Sequence, residues 1–398
     1  MMAQILSSTI GLIFWWTVPF LLVLGAVVVV HEFGHFLAAR ALGITVEAFS
    51  VGFGPEIAGF RDKSGTRWRL AWIPLGGYVK FKGDESVASL PSAEDLEKLT
   101  PGERQGNFHT SAVWRRALIV LAGPFANFLL SLVIFTGMVL ATGIVYQKAE
   151  IRCVEDGTPA AQAGLQAGDK ILSVGGKPVR SFEDFSSYVL LNARSPINIA
   201  VERGGKVVDL TATPELTEGD CVGRLGVVGS RSRRNAQIAN ATLFEAAGEG
   251  VQRTWRIVKG PFQFFGQLFR GNACMSSLGG PVKIAEVSKT FASQGFIHLI
   301  PLIAFISVSV GLFNLFPIPI LDGGHILFYG AEAILGRPLS QKAQEAGFQF
   351  GFVLLLMLMI FVTWNNVAEL SRGKPEVSRQ ASGQHIHKCL PWWRGRKG

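Results

Sequence analysis

Four stretches of the chain stay apolar long enough to approach or exceed the roughly 20 helical residues that a bilayer requires. They cover residues 10–30, 117–146, 296–321 and 348–362, the last being the shortest and extendable by Trp364. No Lys or Arg precedes the first stretch and no small-residue cleavage site follows it, so it reads as a retained span and not as a signal peptide. Outside these stretches the periodicity changes. Trp68, Leu70 and Trp72 alternate with Arg67, Arg69 and Ala71, the two-residue period of a strand. Gly76-Gly77 breaks that run and residues 78–81 resume it, so a small β region is expected at the membrane face, followed by a polar loop over 85–107. Residues 151–154, 170–174 and 197–202 read as strands and 182–191 as a helix, punctuated by Gly175-Gly176 and Gly204-Gly205. From 244 to 270, Phe244, Val251, Trp255, Val258, Phe262, Phe265 and Leu268 recur mostly three or four residues apart, with Arg253, Arg256 and Lys259 between them. That pattern predicts an amphipathic helix, lying at the membrane interface or packed on a soluble domain.

Composition narrows the class. Of 398 residues, 48% are hydrophobic and 17% charged, against about 25% charged in soluble domains. A soluble enzyme and a disordered chain are both excluded as expectations. The net charge of +9 fits loops facing an anionic leaflet better than nucleic acid, because the basic residues flank the spans. Residues 1–39 hold no Lys or Arg, whereas Arg40, Arg61, Lys63, Arg67, Arg69, Lys80, Lys82, Arg115 and Arg116 lie between the first two spans. The basic-residue rule therefore puts residues 41–113 in the cytoplasm and 147–293 outside. The C-terminus would also lie outside, although the basic tail over 367–398 opposes this. Cys153, Cys221, Cys274 and Cys389 share no short spacing and form neither a zinc ribbon nor a disulfide framework. A Cys153–Cys221 bridge would require an extracytoplasmic setting.

The expected organisation is a polytopic α-helical membrane protein with about four transmembrane helices. They occupy 1–40, 114–146, 294–335 and 341–366, with a β region over 41–113, an inserted α+β domain over 147–215 and a connector over 216–293. Chemistry concentrates in two of the spans. His31-Glu32-Phe33-Gly34-His35 follows four valines; on a helix, His31 and His35 stand one turn apart on the same face. This spacing suits two imidazoles on one zinc, with Glu32 beside them as general base. Ionisable groups at membrane depth are costly, so they read as functional. A catalytic zinc takes a third protein ligand. The candidate is Asp322, in the run Asn314-Leu315-Phe316-Pro317-Ile318-Pro319-Ile320-Leu321-Asp322-Gly323-Gly324. Pro317 and Pro319 would break a helix there, and irregular backbone at membrane depth survives only inside protein or along a wet cavity. His325, one turn on, is a rival ligand, a supporting group or an idle polar contact.

Together these residues resemble the site-2 protease family of intramembrane zinc metalloproteases. The resemblance extends to Gly123-Pro124-Phe125-Ala126-Asn127, which is similar to the family's G-x-x-x-N element. The run Pro159-Ala160-Ala161-Gln162-Ala163-Gly164-Leu165-Gln166-Ala167-Gly168-Asp169 resembles the core of PDZ domains of the bacterial protease type. Such an insertion points to the branch that includes the regulator-of-sigma-E protease, except that this chain shows a single PDZ signature where some relatives carry two.

The resemblance implies zinc held by His31, His35 and Asp322, Glu32 as the base, and Asn314 and Asn127 near the substrate backbone. The substrates implied are single-span membrane proteins, including anti-sigma factors or signal-peptide remnants, cut in a bacterial inner membrane. An extended peptide or protein tail would bind the PDZ domain on the periplasmic side. An unwound substrate needs new backbone partners; the hairpin over 68–81 and the Gly52-Phe53-Gly54 loop are the candidates. A metal transporter would show internal repeats, which are absent from this sequence. A catalytically inactive PDZ-bearing scaffold would have no use for Glu32.

Overall fold

A computed structural model describes residues 9–84, 98–147, 149–179, 181–216, 223–229, 236–239, 241–270 and 280–371. In chain order they form helix α1 (Thr9–Ala41), strands β1 (Val46–Arg61) and β2 (Arg67–Phe81), and helix α2 (Val113–Thr142). Strands β3 (Ile144–Gln147), β4 (Ile151–Val154) and β5 (Lys170–Val174) follow, then helix α3 (Phe182–Leu191). Next come strands β6 (Ile197–Arg203), β7 (Lys206–Ala212), β8 (Val227–Gly229) and β9 (Ala236–Ala239). The described part ends in helices α4 (Leu243–Phe269), α5 (Pro281–Ser293), α6 (Leu299–Asn314), α7 (Asp322–Leu335) and α8 (Gln341–Ser371). Four helical stretches, Phe14–Ala41, Val113–Thr142, Phe296–Asn314 and Gln341–Trp364, are long and apolar enough to cross a membrane. This is the architecture of a polytopic α-helical membrane protein with a β region.

The chain divides into two compact units. The first comprises Met1–Gly137, Ala247–Val258 and Pro281–Phe361. Its axis is α1. Val23 and Val27 pack with Ala292 of α5 and with Leu302 and Ile306 of α6. Further along α1, Phe36 and Ala39 pack with Ile44, Phe49, Ile119, Val120 and Tyr329. The HEFGH segment lies on α1 between these two clusters. Gly34 lets α1 and α2 touch backbone to backbone, because a Cβ there would stand 2.4 Å from the Ala122 carbonyl oxygen and 2.7 Å from Ala126 Cβ.

Strands β1 and β2 pair antiparallel, from Val46↔Phe81 to Val51↔Gly77 and again from Glu56↔Ala71 to Arg61↔Arg67, with register shifts between. Two sequence expectations are corrected here. Gly52-Phe53-Gly54 is not a loop but part of β1, and Gly76-Gly77 does not break β2. The reason is local: Gly52 (φ +91°) and Gly54 (φ +89°) adopt a left-handed backbone that bulges the strand without ending it. The third span is also shorter than expected. Helix α6 stops at Asn314, and α7 begins afresh at Asp322, since Pro317 and Pro319 cannot supply the N–H groups that a continuous helix needs. Of the loop expected over 85–107, residues 85–97 lie outside the described residues, and Pro101–Arg104 forms one helical turn. Tail residues 372–398, and with them Cys389, also lie outside the described residues.

The second unit comprises Met138–Ala246, Lys259–Gly280 and Val362–Gly398. Its antiparallel sheet runs in the order Lys177–Pro178, β5, β6, β7. Ile151, Ile171, Ile199, Val201 and Phe185 form its core, which also draws Leu225 and Val227 from beyond residue 215. The predicted strands and the helix over 182–191 form here. Asp169 is buried and takes two hydrogen bonds from the Arg203 guanidinium, at 2.8 and 2.7 Å. Burial pushes its carboxyl pKa up, but Arg203 and the Gln166 backbone N–H outweigh burial and hold it below the usual range. Cys153 is disulfide-bonded; Cys221 and Cys274 lie outside the described residues. The predicted amphipathic helix is α4, capped by Thr242 and Glu245. Phe244, Val251, Trp255 and Phe262 on it are each more than half exposed.

Candidate metal centre and active site

Residues from four helices and one strand meet in the first unit. On α1 the four-residue spacing turns His31 and His35 to the same side, with the rings edge to face and centroids 4.8 Å apart. Both residues are buried. His35 Nδ1 lies 2.8 Å from the Ile119 carbonyl oxygen of α2. A carbonyl only accepts, so Nδ1 carries the proton and Nε2 presents a bare lone pair. Ile119 lies just over one turn before Pro124, which sits inside the continuous helix α2.

The break after α6 brings Asp322 to this pair. Gly323 and Gly324 make that possible, because a Cβ on Gly323 would stand 2.3 Å from the Phe316 carbonyl oxygen and one on Gly324 2.3 Å from Pro319 Cα. Asp322 Oδ2 lies 3.1 Å from His31 Nε2 and 3.6 Å from His35 Nε2. The two Nε2 atoms are 3.2 Å apart. Asp322 Oδ2 is buried and lacks a hydrogen bond of good geometry. A bare imidazole lone pair and an unpaired carboxylate oxygen thus converge on one point, where a cation would satisfy them. Ligand bonds of about 2.0–2.1 Å in a tetrahedron give ligand–ligand separations of about 3.3 Å, and the three observed separations bracket that value. Among the described residues, His31, His35 and Asp322 form the cluster able to hold a metal, and two imidazoles with one carboxylate suit zinc. His325 is not in it; its ring lies against Phe348 and Tyr329.

The supporting residues include several that sequence reasoning did not find. The Glu32 carboxylate is within hydrogen-bonding reach of the Val79 backbone N–H on β2. β2 runs close by, since a Cβ on Gly77 would stand 3.5 Å from Glu32 Cγ. Gly123 is the residue that admits the imidazoles: a Cβ there would stand 2.3 Å from His35 Nε2 and 3.0 Å from His31 Cε1. Asn314, at the end of α6, holds Nδ2 3.4 Å from His31 Nε2. Asn127 does not take the expected place. It is fully buried beside His31 Nδ1, the ring nitrogen turned away from the cluster, with no surface left for substrate. Gly52, Phe53 and Gly54 make no described contact with the cluster; Phe53 packs on Tyr78 and Gly76 instead. Nothing in the sequence singles out the Ile119 carbonyl or the Val79 amide.

The sequence has counterparts among known proteins. The model of peptidase family M50 matches residues 19–358. The "Putative zinc metalloprotease Atu1380" of Agrobacterium fabrum is 41% identical over 376 residues, covering 93% of this chain and 100% of that protein. Metalloprotease MmpA of Caulobacter vibrioides is 39% identical, covering 88% of this chain and 94% of its own. The regulator of sigma-E protease RseP of Salmonella typhimurium is 28% identical, covering 90% of this chain and 99% of its own.

Proposed function

The chain belongs to peptidase family M50, the site-2 family of membrane zinc metalloproteases, and on that premise we propose that it hydrolyses peptide bonds within or beside the transmembrane segments of single-span membrane proteins. The observation that carries this reading is the convergence of His31, His35 and Asp322 from distant parts of the chain at membrane depth.

In this reading His31 Nε2, His35 Nε2 and an Asp322 oxygen hold zinc. When bound, zinc supplies a Lewis acid and a water whose pKa falls to about 7. Glu32 would take a proton from the attacking water on its carboxylate as the water oxygen bonds to the peptide carbonyl carbon, and would return it to the amine nitrogen as the C–N bond breaks. The Val79 N–H fixes the carboxylate for both transfers. Asn314 bonds the substrate backbone. A transmembrane helix must unwind before its carbonyls are open to attack, and an extended segment then needs new backbone partners. β2, which passes Glu32, is the strand best placed to supply them.

The second unit serves as a PDZ domain on the extracytoplasmic side of a bacterial inner membrane. Its antiparallel sheet and α3 support that assignment, as does a groove of about 250 Å³ lined by Phe182, Phe185, Val189, Leu225 and Val227. An extended peptide or protein tail would lie there. Anti-sigma factors and signal-peptide remnants are the substrates that fit best. α4 rests its apolar face on the bilayer, with Arg253, Arg256 and Lys259 toward the headgroups.

The test is metal analysis of the purified protein together with cleavage of a model single-span substrate, for wild type and Glu32→Gln. Zinc should be bound stoichiometrically by both proteins, and cleavage should be lost in the variant. Cleavage undiminished in Glu32→Gln would overturn the reading.

A further inference from the structure

Four side chains close on His31, one of them Asn314, whose amide nitrogen stands 3.4 Å from Nε2. Asp322 and His35 face its Nε2, and Asn127 faces its Nδ1, with the amide nitrogen 3.2 Å away. In this orientation of the amide, the Asn127 nitrogen donates to Nδ1, so the ring proton must sit on Nε2, in the midst of the cluster. The Asn127 oxygen is meanwhile buried with no hydrogen-bond partner. If the amide turns by half a revolution, Oδ1 gains a partner and the ring proton leaves Nε2, while Nδ2 takes the position that Oδ1 held. Oxygen and nitrogen of an asparagine side chain have nearly the same shape, and the hydrogen-bond network decides between them. Turned, Oδ1 accepts a proton from His31 Nδ1, and Nε2 is left bare to bind a metal.

We infer that Asn127 is a positioning residue for the metal centre: its side-chain oxygen accepts the His31 Nδ1–H, fixing the tautomer and the ring angle. The inference rests on the metal assignment proposed above. It gives the two histidines matched supports, because the Ile119 carbonyl does the same for His35. It also gives the G-x-x-x-N element a physical meaning on one face of α2. Gly123 leaves room for His35, and Asn127, one turn on, holds His31. Asn127 is itself held from a third helix: Ser307 Oγ on α6 donates to its backbone carbonyl at 2.9 Å. A Cβ on Gly311 of α6 would come within 3.2 Å of Asn127 Cβ. Asn127 is therefore a preset acceptor with little freedom to move. Groups that orient metal-bound histidines typically contribute about 10–100-fold in metal affinity.

The experiment measures zinc affinity of the full chain in detergent, by competition with a chromophoric chelator, alongside thermal unfolding of the metal-free protein. Asn127→Leu keeps the shape but has no acceptor; Asn127→Asp keeps the acceptor. We expect Asn127→Leu to weaken zinc binding about 10–100-fold and Asn127→Asp to stay within a few-fold of wild type. Asn127→Ala serves as the acceptor-free variant should the leucine form not fold. Wild-type affinity in the acceptor-free variant overturns the inference, and so does equal weakening in Asn127→Asp. If wild type itself binds no zinc, the failure lies with the metal assignment, which separates the two outcomes.

Discussion

Arg116 and Glu332 form an ion pair, Nη2 to Oε1 at 2.6 Å, that ties the first turn of α2 to the last turn of α7, the helix that begins with Asp322. Their side chains are only 11% and 16% exposed. The guanidinium also lies 4.9 Å over the Tyr329 ring. The pair adds to the apolar packing of Tyr329 in the Phe36 cluster in holding α7 in place. Removing one partner strands a largely buried charge. We expect Arg116→Met or Glu332→Leu to cost about 3 kcal/mol, the low end for a broken buried pair because some solvent reaches it. The double replacement should cost less than the sum. Urea unfolding in detergent measures this; single variants as stable as wild type would refute it.

Gly123→Ala tests the room left for the imidazoles. A methyl group 2.3 Å from His35 Nε2 must displace a ligand, and a displacement of about 1 Å costs on the order of 100-fold in rate. Zinc content and cleavage should fall together. Gly34→Ala acts on the α1–α2 contact instead and should destabilise the protein by about 1–3 kcal/mol, read by thermal unfolding.

Removing the metal should abolish cleavage. Chelation followed by dialysis should give an inactive protein that regains activity on zinc addition, while Asp322→Asn should not recover at equal zinc. Activity that survives chelation with no metal left by elemental analysis would exclude metal-dependent hydrolysis.

The second unit should weaken in acid. Asp169 is held below its unfolded pKa, chiefly against burial and through Arg203. A depressed carboxyl stabilises the fold above the unfolded value of about 3.9, and that stabilisation is lost as pH falls through the folded value. Hydrogen exchange of β5 and β6 should accelerate below about pH 4 in wild type. Asp169→Asn should remove that pH dependence and cost about 1.5–3 kcal/mol at neutral pH. An acid profile identical in the two proteins would show that other groups govern the transition.

How much of this was legible in the sequence varied with the kind of residue. His31, Glu32, His35 and Asp322 stood out because charge at membrane depth demands a reason, and their spacing on a helix is fixed by geometry. The broken third span was legible through Pro317 and Pro319. Gly52 and Gly54 misled, because a left-handed glycine marks a loop in most settings but here bulges a strand. The supports of the centre were not legible, since every residue has a carbonyl and an amide, and only packing selects Ile119 and Val79. Asn127 was visible as a site residue but not in its role, which depends on which side of the His31 ring it meets.

The imidazoles lie on α1, near the start of the chain, whereas Asp322 lies beyond the prolines that follow α6. During synthesis, α1 and α2 can dock and set the imidazole pair early. The carboxylate is made only after both compact units have nearly emerged. A nascent chain therefore has no complete centre, and a protein released short of residue 322 could not cut its neighbours in the membrane.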